Sequence, residues 1–361
     1  MTAKNWISFT AIVLLLSACR TAKLAHQPVK VKPDIPVHVI TEQTDPVKSD
    51  AEGEFFSAAR YNINKVQKLS TATWQGQLQE RLDSIANIPL FESTQLGLCV
   101  YDLTDDKMLF SLNADQRMRP ASNQKLVTAI TALDLLGTNY RYYPTILSPG
   151  WGWCWDDDET GIRDFNGSGS RWNADTLYYE KYERTLGNIL VPMMKKSDNM
   201  LAESMFWQLT ANRDLKRVKR KDCVAKVDEV VRKTGGTFSD YVIADGSGVS
   251  LYNYLSPRLL LMLLRHAYQH KDIYDALYPA LPIAGVDGTL SKRMKGTVAE
   301  GNVHAKTGTV TGVSTLSGYC RHSSGHILAF SIMNQGIPKA AVGRDYQDDV
   351  CVILCGGFHN S

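Results

Sequence analysis

Between residues 121 and 137 the apolar positions Leu126, Ile130, Leu133 and Leu136 recur at helical spacing and stop at Gly137. This pattern predicts a buried amphipathic helix closed by glycine. Upstream, Gln95 to Asp102 alternates loosely and is rich in strand formers. The polar Thr104-Asp105-Asp106-Lys107 follows, and Met108 to Asn113 returns, which predicts a hairpin. Residues 200–210, 222–234 and 257–270 carry helical patterns. Thr315 to Arg321 and Ile327 to Asn334 predict a second hairpin, and 338–355 a closing helix. Strands thus lie toward both ends with helices mostly between. That order predicts an α+β fold, in which distant segments complete one antiparallel sheet and a helical lobe is inserted between them. No internal repeat is visible.

Composition narrows the class. The 361 residues are 44% hydrophobic and 21% charged, enough for a sizeable core and incompatible with wholesale disorder. Forty basic against 37 acidic residues leave a net charge of +3, too balanced for a dedicated nucleic-acid binder, so no nucleic-acid partner is expected. The first residues have the layout of an export signal: Lys4, a short apolar stretch from Ile7 to Leu16, then Leu16-Ser17-Ala18-Cys19. A cysteine directly after two small residues has the form of a bacterial lipobox. It predicts cleavage after residue 18 and lipid attachment at Cys19; a plain signal peptide or an uncleaved anchor is the alternative. Residues 19–55 contain Pro28, Pro33, Pro36 and Pro46 with little periodicity and read as a tether. The expected location is the periplasmic side of the cell envelope, with the membrane reached through the lipid. Residues 56–361 remain for the folded body.

Six cysteines besides Cys19 permit disulfides in an exported chain, but buried free thiols fit equally well. No zinc spacing occurs. His266 and His270 lie four apart on a predicted helix without an obvious third ligand, so no metal is expected. His322 and His326 flank a predicted turn and read as exposed. Asp245-Gly246-Ser247-Gly248 reads as a structural turn.

Three short motifs carry chemistry. Ser122-Asn123-Gln124-Lys125 places serine and lysine on one face of a helix start. There the helix dipole favours alkoxide character at Ser122 and opposes charge on Lys125, which can then act as a general base. The plain alternative is a capping serine with a surface lysine. Ser197-Asp198-Asn199 precedes an apolar helix and can be an ordinary cap. In a site, the Ser197 hydroxyl can relay a proton and the Asn199 amide can hold a substrate carbonyl. Lys-Thr-Gly occurs twice. Lys233-Thr234-Gly235 reads as a helix end. Lys306-Thr307-Gly308 lies among strand formers, where Lys306 supplies a cation and Gly308 allows close backbone approach. A peptide can pair along such an edge, and the Thr309 and Ser122 N–H groups can form an oxyanion hole.

Each motif alone is common. Together, in the order 122, 197, 306, they resemble the set of penicillin-binding proteins and class A β-lactamases. The wider stretches 119–125, 196–203, 245–250, 281–290 and 304–309 resemble low-molecular-mass penicillin-binding proteins of the D-alanyl-D-alanine carboxypeptidase/endopeptidase type, over roughly 95–146 and 185–357. The resemblance implies a β-lactamase/transpeptidase-like fold and a serine peptidase acting on peptidoglycan stem peptides, with β-lactams as inhibitors and no cofactor. It implies Ser122 as nucleophile, Lys125 as base, Ser197 with Lys306 as the proton route to the departing D-alanine, and Asn199 as a positioning group. Lys306 and Thr307 would attract the substrate carboxylate, with Gly308, Thr309 and Asp198 completing the binding and oxyanion surface.

One departure stands out. Family members of this type usually carry large extra domains between the first two motifs, whereas 71 residues separate Lys125 from Ser197 here. Residues 147–176, including Trp151-Gly152-Trp153, read as a remnant of that insertion. This motivates another reading, a penicillin- or wall-binding lipoprotein without turnover; a serine β-lactamase is a further alternative, for which Glu183 is the faint candidate base, although it precedes the second motif instead of following it.

Overall fold

The chain separates into two units, Met1–Ala51 and Glu52–Ser361. In this computed structural model the described residues all belong to the second: 69–141, 185–210, 219–235 and 241–357, with the backbone of strands at 145–147, 163–164 and 178–179. The signal, Cys19, the tether, Cys154, Glu183 and most of the 147–176 segment lie outside them.

Five strands form one antiparallel sheet: β1 (Gln95–Asp102), β2 (Lys107–Leu112), β6 (His304–Val310), β7 (Val313–Arg321) and β8 (Ile327–Gln335), in the order β2-β1-β8-β7-β6. The N-terminal and C-terminal hairpins therefore meet at β1 and β8, paired from Gln95 with Gln335 to Asp102 with Leu328. The α+β expectation holds. Short strands β3 (Thr145–Leu147), β4 (Arg163–Asp164) and β5 (Tyr178–Tyr179) form a separate small sheet.

The loose alternation of β1 has a physical cause: both sheet faces are covered. Leu98, Val100, Phe330 and Ile332 point into one core, Cys99, Tyr101, Ala329 and Met333 into the other, so every position tolerates an apolar residue. The first core is closed by α1 (Trp74–Ala86) and α9 (Ala340–Leu354). The second belongs to the helical lobe: α3 (Gln124–Leu136), α4 (Leu186–Lys195), α5 (Asn199–Gln208), α6 (Arg220–Lys233), α7 (Pro257–Gln269) and α8 (Lys271–Ala280). A one-turn helix, α2 (Leu90–Ser93), precedes β1. Helix α3 is central, with every residue from Gln124 to Leu133 buried. No helix among the described residues is long and apolar enough to cross a membrane.

Besides the one-turn α2, three helices went unread in the sequence. Helix α1 carries Leu78, Leu82 and Ile85 on its buried face between polar residues. Helices α4 and α8 contain Pro192 and Pro279, residues that argue against a helix unless tertiary packing overrides them. Missing α1 also hid its role. Trp74 stacks on His322 with ring centroids 4.4 Å apart and covers His326 at 4.7 Å. The expectation of exposed histidines is therefore corrected: His322 is buried, and His326 Nδ1 lies 2.8 Å from Asp102 Oδ2.

Candidate active site

The segment before α3 is a single 3-10 turn, Ala121–Asn123. It is held on the sheet by two side chains of β7 and one of its own. Thr315 Oγ1 donates to Pro120 O at 2.8 Å, and the buried Asn123 Nδ2 donates to Ser317 Oγ at 2.8 Å. Gly308 on β6 allows the approach. A Cβ there would sit 2.2 Å from Thr315 Oγ1, 2.8 Å from Pro120 O and 3.0 Å from Ser122 N. Ala121 has a left-handed φ of 46° and Ser197 one of 59°. Non-glycine residues hold that conformation only where their surroundings over-determine it, and such strain gathers at functional sites.

Two distant segments and the turn just before α3 converge on Lys125. Its side chain is fully buried in α3. Nζ donates to Asn199 Oδ1 and Ser247 O, each at 2.7 Å, and lies 3.2 Å from Ser122 Oγ. The two carbonyl oxygens can only accept, so they take two N–H bonds of the amine. The remaining position on nitrogen faces the Ser122 hydroxyl. Burial pushes the Lys125 amine down to about 8, against the pull of Glu203, Asp245 and Asp198. In its neutral form such an amine can turn its lone pair to the serine hydroxyl, a geometry suited to general-base chemistry.

Lys306, also fully buried, donates from Nζ to Ser197 Oγ at 2.9 Å and to Thr307 O at 2.8 Å. Burial first, then the Lys125 charge, holds it well below the usual lysine range. Two lysines with lowered proton affinity thus face one site from α3 and β6, each bonded to a different serine hydroxyl. Asp198 caps α5, its carboxylate accepting from Leu201 N at 3.0 Å. Thr307 Oγ1 donates to Thr289 Oγ1 at 2.7 Å, and Thr309 is exposed on β6.

Several contributors carry no role in the site in the sequence reading, although most lie in stretches that carry the resemblance. The Asp245–Gly248 turn, read as structural, delivers the Ser247 carbonyl to Lys125. Glu203 accepts from Gly246 N at 3.1 Å and Ser247 N at 2.8 Å. It lies one helical turn beyond Asn199, a spacing that places both on one face of α5. Lys195 donates to both oxygens of Asp287, at 2.8 and 2.6 Å, and to Leu281 O at 2.6 Å. That strap fastens the loop bearing Thr289 to the end of α4.

The other candidates stay outside the site. His266 Nε2 lies 3.3 Å from Asp134 Oδ1, and His270 Nδ1 meets His266 O at 2.8 Å. Among the described residues, Asp102, Asp105 and His326 bring three ligand-type atoms together. Asp102 is already engaged there: Oδ1 by the N–H groups of Thr104 and Asp105, Oδ2 by His326. Cys99, Cys223, Cys320, Cys351 and Cys355 are buried free thiols.

Comparison with known proteins agrees with this architecture. The family model described as "D-Ala-D-Ala carboxypeptidase 3 (S13) family" matches residues 78–151 and 173–355. D-alanyl-D-alanine carboxypeptidase DacB of Haemophilus influenzae is 35% identical over 157 residues, 43% of this chain. The aligned region spans 32% of that relative's length. The crystal structure of penicillin binding protein 4 from Haemophilus influenzae superposes with a TM-score of 0.57 at 18% identity, covering 76% of this chain and 99% of that one. TLA-1 extended-spectrum β-lactamase superposes with 0.54 at 16% identity, covering 79% and 99%. The β-lactamase/transpeptidase-like fold expected from the motifs is thus the fold observed.

Proposed function

The chain belongs to the S13 family of D-Ala-D-Ala carboxypeptidases, and from that premise we propose that it is a serine D-Ala-D-Ala carboxypeptidase/endopeptidase of peptidoglycan stem peptides, inhibited by β-lactams. The observation that carries this reading is the aim of Lys125 Nζ, held by two carbonyl oxygens with its free position toward Ser122.

Ser122 Oγ attacks the carbonyl between two terminal D-alanines while its proton passes to Lys125. The developing oxyanion is met by the N–H groups of Ser122 and Thr309. The C–N bond then breaks, and the departing amine takes a proton through Ser197, whose hydroxyl is bonded to Lys306. An ester on Ser122 remains. Water hydrolyses it, with the protons returned to the serine and the lysine. Lys306 and the Thr307 hydroxyl bind the terminal carboxylate of the substrate or of a penicillin, and Asn199 holds the peptide. Cleavage of cross-links uses the same groups. The residues present accomplish each step by proton transfer. The export signal and Cys19 support anchoring of this activity at the periplasmic face of the envelope.

Labelling with a fluorescent penicillin tests the reading: one equivalent on the wild type and none on Ser122→Ala. Labelling that persists in the variant defeats it. Incubation with a stem pentapeptide should release D-alanine. The 71-residue spacing between Lys125 and Ser197 favours a second reading, binding without turnover. Acylation without alanine release would establish it. Rapid penicillin turnover would instead mark a β-lactamase.

A further inference from the structure

Lys125 works as a base only if its lone pair is directed at Ser122, and the Ser247 carbonyl supplies half of that direction. A backbone carbonyl cannot be chosen by sequence at its own position. It is fixed by whatever holds the two peptides around it. In the 245–250 turn four N–H groups are taken by two carboxylates. Asp245 accepts from Gly248 N at 2.7 Å and Ser250 N at 2.6 Å, staying within the turn. Glu203 reaches in from α5 and takes the N–H groups of Gly246 and Ser247, at 3.1 and 2.8 Å, one with each oxygen. Opposite them, Thr128 Oγ1 of α3 donates to Gly246 O at 2.7 Å. The turn is therefore held between α3 and α5. The next carbonyl along the turn, Ser247 O, is the one that meets Lys125.

We infer that Glu203 is a positioning residue of the acylation step: it clamps the Gly246–Ser247 peptide so that the Ser247 carbonyl orients the Lys125 amine. The inference rests on the reading of Lys125 as the base for Ser122. Among the charges acting on Lys125, Glu203 is the first, ahead of Asp245 in the turn and Asp198 at the start of α5. Lys306 faces Lys125 from β6, and the Lys125 charge helps to hold the Lys306 amine below its usual range. Burial and then the Asp245 charge raise the Glu203 carboxyl to about 7, so both groups titrate near neutrality.

Two substitutions separate orientation from charge. Glu203→Gln removes the charge and places an amide N–H against a backbone N–H, so it disturbs both. Glu203→Asp keeps the charge and shortens the reach. Second-order acylation by a fluorescent penicillin is measured from pH 5.5 to 9.5, with thermal melting as a check of folding. For Glu203→Gln the high-pH plateau should fall on the order of ten-fold, since small misplacements of a reacting group are expensive. Its acidic limb should move to lower pH by about half a unit or more, because a lost carboxylate destabilises the ammonium. Glu203→Asp should lower the plateau and leave the limb in place.

A direct titration makes the test independent of activity. Lysine-labelled protein, with the Lys125 signal assigned through Lys125→Arg, gives the amine's midpoint by NMR in the wild type and in Glu203→Gln. A lower midpoint in the variant supports the inference even if the wild type takes no penicillin; the latter result would defeat the proposed function alone. An unmoved midpoint, or a folded Glu203→Gln whose plateau stays within two-fold of the wild type, overturns it.

Discussion

The tripeptide Lys-Thr-Gly occurs at two places, and the two share nothing beyond their letters. At 233–235 it ends helix α6. Lys233 pairs with Asp134 at 2.6 Å with its side chain 43% exposed, and Gly235 turns the chain with φ 78° into open space. At 306–308 it runs along an edge strand. Lys306 is fully buried against Ser197, and Gly308 is pressed onto the turn that carries Ser122. A pair of the first kind, its lysine standing partly in solvent, contributes little. A lysine of the second kind is denied solvent and gives up its proton more readily. The chemistry is decided by what the fold places around the ammonium, which is why a motif match becomes meaningful only with its structural context.

The widest contrast between the copies is expected from removing the two lysines. Lys306→Met should slow acylation of Ser122 by a penicillin on the order of 10²–10⁴-fold, the range for losing a proton-transfer group. Lys233→Met should stay within about two-fold. Equal effects would mean that burial of the second copy has no catalytic meaning. The Met variant at 306 should also melt no lower than the wild type, because a buried amine with depressed proton affinity is replaced by an apolar chain of similar length.

Titration sharpens the same contrast. Lys125 must be neutral to accept the Ser122 proton, and its amine sits at about 8. The acylation rate should therefore climb with pH by about ten-fold per unit well below that value and level off above it. Lys233→Met should leave the profile where it is. A flat profile between pH 6 and 9 would remove Lys125 from the role of base.

The glycines separate the copies less sharply. Gly308→Ala brings a methyl to 2.2 Å from Thr315 Oγ1 and 2.8 Å from Pro120 O. Relief of that clash should cost about 1–3 kcal/mol of stability and pull the Ser122 N–H away from the oxyanion, slowing acylation as well. Gly235→Ala meets nothing within 4 Å but keeps a left-handed φ, so it should cost about 1 kcal/mol through backbone strain alone. Melting and acylation measured together distinguish the two: both fall for 308, only melting for 235.

Ser122 and the two lysines were legible as candidates because their information is local. Ser122 and Lys125 are one helical turn apart, and Lys306 sits in a run of strand formers that no helix would choose. The first hairpin was legible from strand formers on either side of a polar turn, and α3 from helical spacing with a glycine stop. The identity of the group opposite Asn199 on Lys125 was not. It is a main-chain carbonyl, and any residue at 247 has one; only the shape of the turn and the carboxylates beneath it select that oxygen. The same holds for Trp74 over His322 and His326, which depends on a helix whose apolar face is three residues wide. Helices α4 and α8 were hidden by internal prolines whose neighbours compensate them by packing.

The weakest test of the comparison concerns the strap that serves only the 306 copy. Lys195, on α4 just before Ser197, holds Asp287 with its side chain 15% exposed against 39% for the aspartate. Asp287 Oδ1 also accepts from Ile283 N at 2.9 Å. From the same loop Pro282 O accepts from Ala305 N at 2.9 Å, and Thr289 stands on Thr307. The pair thus ties the approach to Ser197 to the strand bearing Lys306, which keeps their 2.9 Å bond in register. Because the aspartate is partly in solvent, the pair itself should contribute only about 1 kcal/mol. Asp287→Ala should lower the melting temperature by about 2–4 °C and acylation a few-fold, and Lys195→Met should do much the same. Made together, they should cost clearly less than the sum of the two, since each alone already breaks the strap. Strict additivity would mean that the loop is held by its backbone bonds and that the Ser197–Lys306 register needs no strap.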